Sequence, residues 1–258
     1  MQRTTSADGT AIAYDSTGSG PVVVVVNGAL ATAVDAAPLT AALAAAGFTG
    51  VAYDRRARGD SGDARDSTPA NEAEDLAAVI EAVGGRASVL GHSSGAVLAL
   101  YAAGTGVPVE HLFCSEPPFA FDGPTAPPDL PERLQDLIDA GHLDHAVVTF
   151  QLEGVGLPPA MVEQIKSSPM FAGLVAVAQS TVYDANLTRE VAVPSEAMLG
   201  VSAPVTVLLG SQTFPVLDTS ARRLAEAIPH AELVEVPESV AHRPDPDATA
   251  RVVASRLS

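Results

Sequence analysis

The sequence predicts an α/β fold: a mostly parallel central sheet with helices on both faces and one helical insertion. Three observations point there. Short apolar runs at 22–26, 51–53, 88–90, 111–114, 205–209 and 233–236 alternate with helical patterns, the rhythm of βα units. That rhythm breaks once, between about 118 and 198, where only helical patterns occur. The stretch from Ser88 to Leu98 reads as a short strand, the turn Gly91-His92-Ser93-Ser94-Gly95 and a small-residue helix.

Taken in order, residues 1–17 read as a hairpin with Asp8-Gly9 at its turn. The β-branched run 22–26 has no polar alternation, so it suits a strand buried on both faces; it ends at Asn27-Gly28. A helix over 36–46 stops at Gly47, a strand follows at 51–53, and a charged loop spans 54–63. That loop is expected to be a turn held by its own Asp–Arg contacts. The next helix has clear limits. Thr68 caps it, Pro69 suits its first position, Gly84-Gly85 end it, and Leu76, Val79, Ile80 and Val83 form its apolar stripe.

Six prolines crowd residues 117–131, and helical patterns then follow at 134–138, 146–152, 161–165 and 174–183. The expected division is a core of 1–117 and 199–258 with a helical cap over 118–198. The α/β alternation resumes with a strand at 205–209, a helix at 220–228 and a strand at 233–236. Asp245 caps the last helix, Pro246 lies in its first turn, and Val252, Val253 and Leu257 face inward.

Composition narrows the function. The 258 residues carry 31 acidic against 14 basic side chains, a net charge of −17. Nucleic-acid affinity depends on Lys and Arg at phosphates, so no nucleic-acid partner is expected, and no anionic membrane surface either. Cys114, the single cysteine, excludes an intrachain disulfide. No signal core follows Met1, and no apolar run is long enough to span a bilayer. The expected setting is the cytoplasm. Scattered histidines and one cysteine give no metal-ligand spacing, and neither metal nor cofactor is expected.

The chemistry centres on Ser93. In a nucleophile elbow the serine sits on a strained strand-to-helix turn that lifts its hydroxyl above the sheet. Crowding at that turn explains glycine at both 91 and 95, and the new helix points free N–H groups toward the site. A serine hydroxyl needs a base within hydrogen-bond reach. Of six histidines, His92 is expected to lean away from the hydroxyl, His111 begins a strand, His142 and His145 read as surface, and His230 follows a helix. His242 lies in the loop between the last strand and the last helix, on the sheet edge where the elbow opens, and is the expected base. The orienting carboxylate belongs between Ser93 and His242 in the chain.

At this point the chain resembles the α/β-hydrolase superfamily over nearly its whole length, and most of all its compact bacterial serine hydrolases. The resemblance rests on Asn27-Gly28-Ala29, on the loop Asp54-Arg55-Arg56-Ala57-Arg58-Gly59-Asp60-Ser61-Gly62, on the elbow and on the late His242. It departs from the usual pattern at Asn27, where relatives have His, and at Thr213, where most have an Asp. Some haloalkane dehalogenases and lactone hydrolases instead place a Glu after the strand that follows the elbow helix. Here that residue is Glu116, which the resemblance makes the triad acid, with Asp218 as the alternative. It also implies oxyanion donors at the Ala29 and Ser94 N–H groups and an acyl-serine cycle.

The cap is expected to set specificity, with Phe119, Phe150, Met161, Met170 and Tyr183 facing the substrate. The expected partner is a small hydrophobic molecule, an uncharged carboxylic ester or a lactone. Three other readings stay open: an aminopeptidase-like hydrolase, a cofactor-free lyase or cyclase, and a silent binding protein of the same fold.

Overall fold

The computed structural model describes residues 1–65, 67–123 and 126–257. Eight strands form one sheet: β1 (Gln2–Thr5), β2 (Ala11–Gly18), β3 (Val22–Val26), β4 (Thr49–Tyr53), β5 (Ser88–His92), β6 (Leu112–Ser115), β7 (Val205–Ser211) and β8 (Ala231–Val240). Their spatial order is β1-β2-β4-β3-β5-β6-β7-β8. β1–β2 and β2–β4 pair antiparallel, and every later pair is parallel.

The all-valine β3 explains the layering. Val24 and Val26 join a core with Leu76, Leu98 and Leu224, whereas Val23 and Val25 join one with Leu43, Phe113 and Val253. The first core lies under α2 (Pro69–Ala82), α3 (Ser94–Gly104) and the helix Pro215–Ala227, and the second under α1 (Ala37–Ala45) and the helix Pro246–Leu257. A strand that alternates between two buried faces has no position for a polar residue. Each buried valine contributes about 1.5–3 kcal/mol.

α2 begins where expected: the Thr68 hydroxyl accepts the Asn71 N–H, and Leu76, Val79 and Ile80 are buried. Between β6 and β7 the chain is helical: α4 (Leu130–Asp139), α5 (Leu143–Thr149), a π turn (Phe150–Gly154), α6 (Pro159–Lys166), α7 (Phe171–Ala176), α8 (Ser180–Glu190) and α9 (Glu196–Leu199). Two boundaries differ from expectation. α10 (Pro215–Ala227) starts at its proline, so Asp218 lies inside its first turn and not ahead of it. β8 runs on to Val240, past a register shift opposite Gly210 and Ser211, and places His242 two residues beyond its end. α11 (Pro246–Leu257) follows, with the Asp245 carboxylate accepting the Ala248 N–H at 2.8 Å. Among the described residues no helix is long and apolar enough to cross a membrane.

β3 has its sequence successor β4 on one side and β5 on the other. Chain connections therefore diverge there, which opens a crevice at the carboxyl ends of β3 and β5.

Candidate active site

Ser93 stands at that crevice with φ 54° and ψ −126°, an unfavourable backbone for any residue but glycine. Contact on both sides imposes it. A Cβ on Gly95 would sit 2.1 Å from the Val26 carbonyl oxygen, and one on Gly91 would sit 2.5 Å from Ala96 Cα. The elbow is pressed directly onto β3, and only glycines permit the approach. The loop after β3 presses in as well: a Cβ on Gly28 would lie 3.0 Å from Ser93 Cβ. Among the described residues, neither the Ala29 nor the Ser94 N–H donates to a backbone carbonyl, so both amides remain available to an oxyanion.

His242 Nδ1 hydrogen-bonds Glu116 Oε2 in a short contact between residues 126 apart in sequence. Glu116 Oε1 accepts the Gly210 N–H at 3.0 Å. Burial pushes the Glu116 carboxyl up, but the His242 hydrogen bond and charge, the Gly210 N–H and the nearby Thr213 hydroxyl outweigh it and hold it below the ordinary carboxylate value. Thr213 completes no hydrogen bond of normal geometry, yet lies close enough to favour the carboxylate. With Nδ1 engaged, His242 has Nε2 free to act on a proton. Among the described residues the Ser93 hydroxyl makes no hydrogen bond to His242. Such contacts are commonly long without substrate and tighten in the complex.

The His92 ring turns toward Ser115 and His242, its Nδ1 3.4 Å from the Ser115 hydroxyl. It lines the cavity, its ring centroid 4.5 Å from that of His242. Burial, then the neighbouring His242, lowers its pKa to about 3, so it is neutral at neutral pH.

Ser93, His242, Ala29, Ser94, Phe119 and Phe150 share the wall of one cavity of about 1140 Å³. Phe214, which sequence reasoning missed, meets the His242 ring edge-on at 6.3 Å. Three expected cavity residues lie elsewhere. Met161 and Met170 are 38% and 57% exposed, because the short helices around them turn those side chains to solvent. Tyr183 packs with Leu134 and Val182, and its hydroxyl donates to Asp63 at 2.6 Å. Asp218 pairs with Arg222 at the surface, far from an orienting role.

The charged loop after β4 does more than hold itself. Asp54 does accept the Asp60 N–H at 2.8 Å. But Arg55 and Arg58 are buried and reach across the site. Arg58 donates to the carbonyls of Gly28 and Ala31, at 2.7 and 3.2 Å, and to Asp184 at 2.6 Å. Arg55 pairs with Glu72 and Asp184, and Asp184 also accepts the Ser94 hydroxyl at 2.8 Å. Burial raises the Asp184 carboxyl, but both guanidiniums and Ser94 together lower it, so it is held as the carboxylate. Asp184 was missed in the sequence. Its one signal is a lone carboxylate in the small and apolar face of α8.

A family model described as the alpha/beta hydrolase family matches residues 23–254. The chain belongs to the alpha/beta hydrolase family. This alpha/beta hydrolase is similar, at 42% identity over the whole of both chains and a TM-score of 0.92, to an alpha/beta hydrolase from Sphaerobacter thermophilus. An enol-lactonase from Burkholderia xenovorans shares its fold at 20% identity, 97% coverage of each chain and a TM-score of 0.70. So does a thermophilic esterase from Thermogutta terrifontis, at 20% identity, with 100% of this chain and 97% of the other covered and a TM-score of 0.71. A search of curated proteins found no match. Membership agrees with the coarse expectation of a hydrolytic enzyme.

Proposed function

We propose that this alpha/beta hydrolase is a serine hydrolase that cleaves carboxylic esters or lactones of largely apolar character through an acyl-serine. The observation that carries the reading is the Glu116–His242 hydrogen bond, set behind the cavity wall that holds Ser93. Glu116 fixes the imidazole tautomer, and His242 Nε2 removes the Ser93 proton as the hydroxyl attacks the ester carbonyl. The Ala29 and Ser94 amides receive the oxyanion. His242 then returns the proton to the leaving oxygen and activates the water that releases the acid. None of these steps calls on a cofactor.

The substrate class rests on the cavity, where Phe119, Phe150, Leu130 and Phe214 supply apolar wall. Neighbours named as an enol-lactonase and an esterase favour the same class. The helical segment over 118–198 is proposed as the cap that selects among substrates.

Treatment with a fluorophosphonate, followed by intact mass and peptide mapping, tests the reading. A single adduct at Ser93 that is lost in His242→Ala is expected. Absence of labelling, or labelling indifferent to His242, would overturn it.

A further inference from the structure

Gln151 is 3% exposed and lies on the wall of the same cavity. Its Oε1 is sealed without a hydrogen-bond partner, and its Nε2, which has no partner among the described residues either, is not sealed, so the N–H donors are the part of the amide left accessible. Three other polar side chains of that wall are committed. Asn27 donates to the Thr32 carbonyl at 2.6 Å, Ser220 to the Pro117 carbonyl at 2.6 Å, and Asp184 holds two arginines. A buried amide normally finds partners, so an orphaned one calls for an explanation.

Its backbone is held in place. Gln151 belongs to the π turn Phe150–Gly154, a device found often at functional sites. The Leu157 N–H closes onto the Gln151 carbonyl at 2.9 Å, and a Cβ on Gly154 would meet the Phe150 ring at 2.8 Å. The side chain is thus presented from a fixed turn into a wall otherwise built of groups such as Phe150, Leu130 and Val155. Ser93 approaches the cavity from the sheet, and Gln151 from the helical segment.

We propose that Gln151 is a specificity-determining residue whose carboxamide donates to a second oxygen of the substrate, a carbonyl set away from the scissile one. This rests on the hydrolase reading and refines it: the preferred ester or lactone carries an additional oxygen acceptor and is not plain hydrocarbon beyond its reacting group. The carboxamide offers two N–H donors to such a group.

The test compares p-nitrophenyl esters of oxo acids, from levulinate upward in length, with those of the ketone-free acids of equal length. Comparing the ratio of kcat/KM within each pair between wild type and variant cancels the intrinsic reactivity of the two esters. At the chain length that reaches Gln151, the wild-type ratio is expected to exceed that of Gln151→Leu by about 5–10-fold, one neutral hydrogen bond. Gln151→Glu, which keeps the size but loses the donors, should fall with the leucine variant. Gln151→Leu should melt no lower than wild type, since it removes an orphaned polar atom. Equal ratios in all three proteins across the series would overturn the inference. If no ester is turned over and fluorophosphonate fails to label Ser93, the hydrolase reading itself has failed. Gln151 is then judged by calorimetric binding of acetonylacetone against butyl methyl ketone. Preference for the diketone that Gln151→Leu abolishes supports the inference, and equal binding overturns it.

Discussion

Glu116 leaves the end of β6 with φ 46°, and four other residues of the site, Leu30, Ser93, Ala241 and His242, share a left-handed backbone. Each such position costs about 1–3 kcal/mol, which the packed sheet beneath must offset. What the strain secures is aim, and it makes the acid testable. Glu116→Gln is expected to lower kcat on a chromogenic ester about 10³–10⁴-fold, while Asp218→Asn stays within about twofold; the opposite result would move the acid to α10. The neutral His92 gives a second prediction. It takes up its proton near pH 6.5 when unfolded but only near 3 when folded, so the unfolded chain binds the extra proton in between. Stability should therefore fall as pH drops from about 6.5 toward 3, and His92→Asn should flatten that part of the melting-temperature profile. Glu116 acts in a lower window, because its folded pKa lies below the ordinary 4.5: its contribution is present above that value and is lost as pH falls through the depressed one. Glu116 was legible in the sequence because Thr213 cannot carry a charge and the resemblance offered one other place. The contact of His92 with His242 was not, since a turn side chain follows the packing of β5 against β6 and the loop after β8.

At the scale of elements, the loop after β4 joins three parts of the molecule. Through Arg55 and Arg58 it links the carbonyls that follow β3, the start of α3 and the middle of α8. Asp184→Asn would leave Arg58 buried with no carboxylate partner among the described residues. A loss of about 3–5 kcal/mol in chemical denaturation is expected. Removal of the exposed Arg86–Glu110 pair should change stability by less than about 1 kcal/mol. Turnover by Asp184→Asn should fall as well, because the same arginines position the loop that bears Ala29. Periodicity made α2 and the helical segment legible, as their apolar residues report which face is buried, and the unbroken valine run did the same for β3, buried on both faces. It could not mark the start of α10, where Pro215 extends the helix past the apolar pattern, nor the tail of β8, whose pairing continues through a bulge. The reach of the arginines was hidden for a different reason. An ion pair between residues 126 apart leaves no trace in local spacing, and the loop was read as self-contained.

Considered whole, the molecule carries a net charge of −17, and burial changes the surface balance little, since Arg55, Arg56 and Arg58 are buried together with Asp54, Glu72, Asp75, Glu116 and Asp184. Like charges repel across such a surface, and salt screens them over about 10 Å at 0.1 M. The melting temperature should rise as sodium chloride is raised from low millimolar to about 0.2 M; a flat or falling profile would mean that local ion pairs dominate. The ion-paired Asp184 has a further consequence for how this chain can vary. By its place in the chain, the helical segment between β6 and β7 looks like a separable cassette laid over the sheet. Here the segment carries the counter-charge for two guanidiniums that belong to the core. A transplanted segment must bring a carboxylate to the same spot, or its recipient inherits a buried Arg58 with no counter-charge and an Arg55 left with Glu72 alone.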